Sequence, residues 1–170
     1  NAPEIRFSSE SGILPEFFID SAKINVIVED EDTSVENNKI SGGLSQIVYQ
    51  IDDGEEINAS EKSFEDSIVT TCLFDVIIPQ AGTHTLHVTA LDNAGNTNTQ
   101  QITVDIKKQQ QTYKIEHYKQ NLDGTTYTKE DSDTKEHTET VGTTVTAAPN
   151  TYTGFVENTS ISSRVPSGIV

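Results

Sequence analysis

The four histidines are the residues whose spacing would reveal a reactive site most directly. His84 and His87 lie three residues apart in a strand-like segment, so their side chains face opposite sides and cannot share a metal ion. His117 and His137 fall in two different predicted strands and lack a third ligand. The sequence therefore predicts no zinc site and no metal requirement for folding.

Carboxylates are the other abundant reactive groups, with 27 acidic residues against 11 lysines and arginines. A glycosidase needs two carboxylates about 5–10 Å apart across a groove that holds a sugar. With so many acids, close pairs arise by chance, and small domains rarely enclose such a groove. We therefore expect a protein that is not an enzyme, with no catalytic residues and no cofactor.

One acidic segment, "EDEDTSVENN" at 29–38, concentrates oxygen ligands of the kind that Ca²⁺ prefers. The candidate ligands are Glu29, Asp30, Asp32 and Glu36. The segment does not follow the EF-hand pattern, because the glycine at the sixth loop position and the closing glutamate are both missing. A solvated acidic loop is the interpretation that we favour, and a calcium site is the alternative.

Charge is distributed unevenly along the chain, whose formal net charge is −16. Residues 1–106 hold 19 acidic and 4 basic side chains, whereas residues 107–170 hold 8 and 7. The acidic half repels phosphate backbones and anionic lipid, which argues against nucleic-acid and membrane-surface partners. Insertion into a membrane is not expected either, because no apolar run approaches the roughly 20 residues that a spanning helix needs.

The sequence predicts short strands, because threonine, valine and isoleucine recur in runs bounded by Gly, Asn, Asp and Pro. In "KINVIVED" Ile24, Val26 and Val28 alternate with polar residues, and Cys72 falls where strand pattern would bury it. A helix is expected only near residues 60–66. The predicted strands of the first half lie at 4–7, 23–30, 45–52, 55–58, 72–79, 84–92 and 100–106. Seven short strands at this spacing are typical of a two-sheet sandwich.

The polar run "KKQQQT" at 107–112 offers no apolar residue for a shared interface. We therefore predict two domains with separate cores, residues 1–106 and residues 112–170. The strands predicted in the second half lie at 112–120, 126–132, 135–141 and 143–148, with turns at Asp123–Gly124 and Val141–Gly142.

In the first half, "YQIDDGEE" (49–56) and "IPQAGTHTLHVTALDNAGNTNT" (78–99) resemble a bacterial immunoglobulin-like domain. The resemblance spans roughly residues 2–106 and implies a β-sandwich; it implies no catalysis. Such modules are strung along surface adhesins and appended to secreted enzymes that degrade glycans.

In the second half, "YKIEHYKQNLDGTTYTKEDSDTKEHTETVGTTVTAAPNTYTGF" (113–155) resembles the β-grasp-like repeats of Gram-positive surface proteins, a group that includes mucin-binding-protein repeats. The resemblance implies a small β-grasp-like module over nearly all of residues 112–170. No residue can be assigned from it as a glycan contact, so the ligand-binding residues stay unknown.

Together the patterns indicate a mainly β fragment, an immunoglobulin-like β-sandwich followed by a small β-grasp-like module. The function that we expect is a non-catalytic spacer or adhesion segment of a bacterial cell-surface or secreted multidomain protein. The alternative is a carbohydrate- or mucin-binding accessory module of a secreted glycan-degrading enzyme. The expected location is extracellular, at the cell surface or attached to the cell wall, with a host glycan, mucin or surface protein as partner.

The tyrosines of the second half allow two interpretations. With "TYTGF" at 151–155, Tyr113, Tyr118 and Tyr127 can form an aromatic face that stacks on sugars, but packing inside a small sheet is the interpretation that we favour.

The segment "SSRVPSGIV" ends the chain where repeats of the resembled kind continue into a final strand. We therefore expect a mature chain or a piece of a longer one, monomeric in solution, whose second module lacks its last strand. Three outcomes would relieve an open sheet edge: strand pairing between molecules in a crystal, folding back of residues 161–170, or a loose module. Pairing between molecules is the outcome that we favour.

Overall fold

The computed structural model of the chain describes residues 1–31, 33, 35–36, 39–40, 42–60 and 68–170. Within this part the protein is mainly β and has no α-helix. The helix predicted at 60–66 lies outside the described residues except for Ser60. The chain divides into two compact units, Asn1–Lys107 and Lys108–Val170.

The first unit is built from one antiparallel sheet, one mainly antiparallel sheet and one small ladder. A three-stranded sheet has the order β1–β3–β8, and a five-stranded sheet has the order β2–β10–β9–β6–β7. Its strands are β1 (Glu4–Ser8), β2 (Phe18–Ile19), β3 (Ala22–Glu29), β4 (Val35–Glu36), β5 (Lys39–Ile40), β6 (Leu44–Ile51), β7 (Ile57–Asn58), β8 (Thr71–Ile78), β9 (Gly82–Asp92) and β10 (Thr97–Lys107). Strands β4 and β5 pair with each other, and β2 pairs with β10 in parallel.

The two sheets enclose one apolar core, so the first unit is a β-sandwich. Strand β3 shows why: its side chains alternate between buried and half-buried from Ala22 to Glu29, as the period of a strand requires. On the facing sheet Leu86, Val88 and Ala90 of β9 are fully buried. The alternation predicted for "KINVIVED" and the burial of Cys72 are confirmed.

The second unit holds three separate two-stranded ladders, β11–β14, β12–β13 and β15–β16. Its strands are β11 (Gln110–Ile115), β12 (Tyr118–Gln120), β13 (Tyr127–Lys129), β14 (Lys135–Thr140), β15 (Thr144–Thr146) and β16 (Ser167–Ile169), with a 3-10 turn at Asp131–Asp133. No residue from Lys108 to Val170 is buried, and the best shielded are half-buried. This unit therefore has no apolar core of the kind found in the first.

The segment predicted as one strand at 112–120 is two strands, and that prediction is wrong in its continuity. Strand β11 pairs with β14, whereas β12 pairs with β13, so the chain changes partner at Glu116 and His117. The backbone carbonyl of His117 accepts a hydrogen bond from the N–H of Glu130, which starts the second ladder.

The tail folds back onto the second unit. Ser167–Ile169 forms β16, which pairs with β15. The N–H of Gly142 donates to the carbonyl of Val170 at 2.6 Å, and the N–H of Val170 donates to Thr143 at 3.0 Å. Of the three outcomes considered for the end of the chain, the structure contains the fold-back. Pairing between molecules stays a prediction.

Candidate functional site

The candidate calcium ligands of the first unit are only partly described by the structure, so the calcium alternative stays a prediction. The carboxylate of Glu29 is paired with the guanidinium of Arg6. Asp30 is buried, and its carboxylate accepts a hydrogen bond from the N–H of Gly43 at 3.0 Å. Asp32 lies outside the described residues. Glu36 belongs to β4.

Among the described residues, no three His, Cys, Asp or Glu side chains are grouped as a metal site would require. The histidines have other contacts. His84 Nδ1 lies 2.8 Å from the Asp52 carboxylate, and its Nε2 lies 3.1 Å from the carbonyl of Gln80. This contact, with the N–H of Thr85, holds the pKa of Asp52 below its usual value. The arrangement links two turns of the sandwich.

The β12–β13 hairpin carries an exposed surface, and the sequence "YKQNLDGTTYTK" forms this hairpin around a tight turn. Gly124 has φ of +70°, a conformation that glycine adopts without strain. The Asp123 carboxylate accepts hydrogen bonds from the N–H groups of Thr125 and Thr126, both at 2.8 Å, and from the Thr126 hydroxyl. These bonds, that of the Thr126 hydroxyl first, lower the pKa of Asp123 to about 2.

A second set of side-chain bonds fixes the same turn. The Gln120 amide donates to the carbonyl of Gly124 at 2.6 Å. The Asn121 amide donates to the Thr126 hydroxyl, and the Thr128 hydroxyl donates to the Asn121 amide oxygen, both at 2.8 Å. The hairpin is therefore held by its own polar side chains rather than by a core beneath it.

The register of the hairpin decides which side chains share a face. Tyr118 is opposite Lys129, and Gln120 is opposite Tyr127. Because successive strand residues point to opposite faces, these four side chains lie on one face, called here the tyrosine face. Lys119 projects from the other face.

The two tyrosines of the tyrosine face are open to solvent, with exposed fractions of 54% for Tyr118 and 40% for Tyr127. The core-packing interpretation is therefore wrong for these two residues. Tyr113 behaves differently: it is half-buried and stacks on the ring of His137, with centroids 5.4 Å apart. Tyr152 is also half-buried.

Charged groups hold the tyrosine face in place. The Tyr118 hydroxyl donates to the Glu116 carboxylate at 2.8 Å, and the Lys129 ammonium lies 3.3 Å from the same carboxylate. These two contacts, that of Tyr118 first, hold the pKa of Glu116 below its usual range. Lys129 also reaches Asp131 at 2.9 Å, so its charge is shared between two acids.

The opposite face of the hairpin packs on a polar and aromatic cluster. The Lys119 ammonium lies 4.4 Å from the centre of the Tyr152 ring and pairs with Glu130. The Tyr152 hydroxyl donates to Asp133, and the His117 ring meets Tyr152 edge-on with centroids 6.5 Å apart. This cluster fixes the hairpin from behind and leaves the tyrosine face outward.

Sequence reasoning placed Tyr118 and Tyr127 in the aromatic set but could not separate them from Tyr113 and Tyr152. The signal that separates them is the strand register, which the turn at Asp123–Gly124 sets.

The comparisons with known proteins assign this chain to no family. Neither the protein-family models, nor the curated proteins, nor the solved structures contain a match to this chain. No helix of the described residues is long and apolar enough to cross a membrane.

Proposed function

We propose that the chain is a non-catalytic spacer and adhesion segment of a bacterial cell-surface or secreted multidomain protein. In this proposal the first unit is an immunoglobulin-like sandwich and the second a β-grasp-like repeat, located outside the cell and of the Gram-positive type. The resemblances described above support both parts. The single structural observation behind the proposal is where the chain enters and leaves the first unit.

The entry and exit points lie at opposite ends of the longest strands of the sandwich. At entry, the Asn98 amide donates to the carbonyl of Pro3 at 2.8 Å, beside the start of β10. At exit, the carbonyl of Lys107 accepts the N–H of Asp20 at 2.8 Å, at the end of β10. Since a strand rises about 3.3 Å per residue, these points lie roughly 30 Å apart.

A module that is entered at one end and left at the other extends the chain by its own length. Tension along the chain would pull β1 and β10 along their axes in opposite directions. The hydrogen bonds of β1 to β3 and of β10 to β9 run across the strands, so they would be strained together rather than opened one after another. This geometry suits a spacer that must keep its fold under load.

A single-molecule pulling experiment on the whole chain tests this proposal. With handles at the two ends, we expect one abrupt unfolding step that lengthens the first unit by roughly 300–350 Å, given about 3.3–3.6 Å per extended residue. The matched control attaches the handles at Thr83 and Asp105, which are directly opposite on β9 and β10. That control opens one ladder bond at a time and should yield at a lower force. Equal forces in the two geometries would contradict the spacer proposal.

A second candidate function is a carbohydrate- or mucin-binding accessory module. The observation in its favour is the pair of solvent-exposed tyrosines on one face of the β12–β13 hairpin. Aromatic side chains with one open face are the usual platform for the apolar face of a sugar ring. This candidate concerns the second unit and is compatible with a spacer role for the first.

A further inference from the structure

We infer that the tyrosine face of the β12–β13 hairpin is a binding site for a neutral oligosaccharide, with Tyr118 and Tyr127 stacking on two neighbouring pyranose rings. The inference rests on the second candidate function and names the residues and the ligand class that this function would use.

Tyr118 and Tyr127 are diagonal neighbours across the ladder, because Tyr118 is opposite Lys129 and Tyr127 is two residues before it. Diagonal neighbours lie about 7–8 Å apart. Two exposed tyrosines at diagonal positions of a ladder can each place a ring against the C–H face of one sugar in the same oligosaccharide. A single exposed tyrosine would stack on only one sugar ring.

Polar groups border the two rings at positions that a sugar hydroxyl can reach. Gln120 and Lys129 lie on the same face, one opposite each tyrosine. The Tyr127 hydroxyl has no hydrogen-bond partner among the residues that the structure describes. Apolar rings with a few polar groups at their edges are the combination by which proteins orient small polar ligands.

The Tyr118 side of the platform and the turn are held in their shape before any ligand arrives. Glu116 holds the Tyr118 hydroxyl, Gly124 holds the Gln120 amide, and Asp123 holds the turn. Behind it, Lys119 is fixed by Glu130 and by the Tyr152 ring. Side chains that are already ordered lose little conformational entropy when a ligand binds. This favours the binding of ligands, such as sugars, that bind weakly.

The charge of this surface selects a neutral sugar over an acidic one. Lys129 is flanked by Glu116 and Asp131, so the three charged groups beside the tyrosines sum to −1. Residues 107–170 together hold 8 acidic and 7 basic side chains, so they add no net positive charge to this surface. A carboxylated sugar, a phosphate backbone or an anionic lipid would be repelled.

The size of the face argues for an oligosaccharide rather than a protein. Each strand of the hairpin has three residues, about 10 Å, and the face presents four side chains. A stable protein interface uses roughly 800 Å² from each partner, far more than this hairpin offers.

The test is a binding titration of the intact chain, followed by NMR, with four neutral probes: N-acetyllactosamine, chitotriose, cellotriose and maltotriose. We expect at least one to shift the signals of Tyr118 and Tyr127. The acidic probe, sialylated N-acetyllactosamine, should bind more weakly than its neutral counterpart. If no neutral probe binds, both the inference and the second candidate function fail, while the spacer proposal is untouched.

Variants separate stacking from other causes. The double variant Tyr118→Ala/Tyr127→Ala should weaken binding by about tenfold or more, given the usual energy of an aromatic contact. The double variant Tyr118→Phe/Tyr127→Phe keeps both rings and should bind within about threefold of the parent chain. Tyr113→Ala removes a ring from a different ladder and should leave binding unchanged.

Unchanged amide signals of Thr125 and Thr126 report that the hairpin is still folded in each variant. Binding that survives the alanine variant in a folded hairpin would overturn the site while leaving the second candidate function in place. An equal loss with the phenylalanine variant would overturn the stacking role.

Discussion

The two units are both built from strands, yet they shield their side chains to very different degrees. In the described part of the first unit, fifteen apolar side chains are buried in one cluster. In the second unit, which the structure describes completely, no residue is buried. The first unit is therefore stabilised by a core and the second by polar side chains and short ladders.

The physical reason is the arrangement of the strands. Two sheets that face each other bury one side of every strand, which is how Ile24 and Leu86 become inaccessible. Three separate two-stranded ladders cannot enclose an interior, and isolated hairpins are only marginally stable. The second unit compensates with dense side-chain hydrogen bonds, of which the Asp123 turn is the clearest case.

The largest expected effect comes from opening the core of the first unit. Ile24→Ala removes a fully buried side chain and should lower the free energy of unfolding by about 2–5 kcal/mol. The matched control is Ile77→Ala on β8, where the side chain is 63% exposed and the change should be within about 0.5 kcal/mol. Denaturant unfolding of the whole chain measures both. Similar losses for the two variants would show that the core does not dominate.

A smaller effect should follow from removing the buried carboxylate of Asp92 in the same unit. The Asp92 carboxylate is buried and accepts hydrogen bonds at 2.7 Å from both the backbone and side-chain nitrogens of Asn96. Asp92→Ala removes two hydrogen bonds to a buried charged group and should cost about 1–3 kcal/mol. Asp53→Ala, at an exposed turn, is the control and should be nearly neutral. A neutral Asp92→Ala in the denaturant experiment would refute the role given to this turn.

The smallest effect is local to the second unit and depends on pH. The pKa of Asp123 is lowered from 3.8 to about 2, so its ionised form is favoured by folding. Its contribution is therefore complete above pH of about 4 and is lost as the pH falls towards about 2. We expect the amide signals of Thr125 and Thr126 to move in this window.

Asp123→Asn keeps the shape of the side chain without its titration, and should abolish this pH response. The core signals of the first unit, such as Val88, should stay unchanged over the same window. A response that persists in the variant would assign the titration to another group.

The alternation of apolar and polar residues made the strands of the first unit predictable from its sequence. Each long strand was placed within a few residues, because a strand that packs on a core buries every second side chain. Strand β2, by contrast, has two residues and no alternation, and its parallel pairing with β10 is set by the tertiary fold. No local sequence pattern predicts such a strand.

The second unit was less predictable because its strands have little to bury. The segment 112–120 alternates as one strand would, yet it changes partner at His117, and only the three-dimensional pairing shows this. The candidate site had the same problem. Its tyrosines were recognised as a group, whereas their division into exposed and half-buried pairs depends on the ladder register.

Hydrogen exchange of the whole chain tests the contrast between the two units most directly. We expect amides of β9 around Leu86 and Val88 to exchange only through global unfolding of the sandwich. Amides of Tyr118–Gln120 and Tyr127–Lys129 should exchange through local opening, at clearly lower free energies. Protection in the hairpin equal to that of β9 would show that a core is not what distinguishes the two units, and would contradict this account.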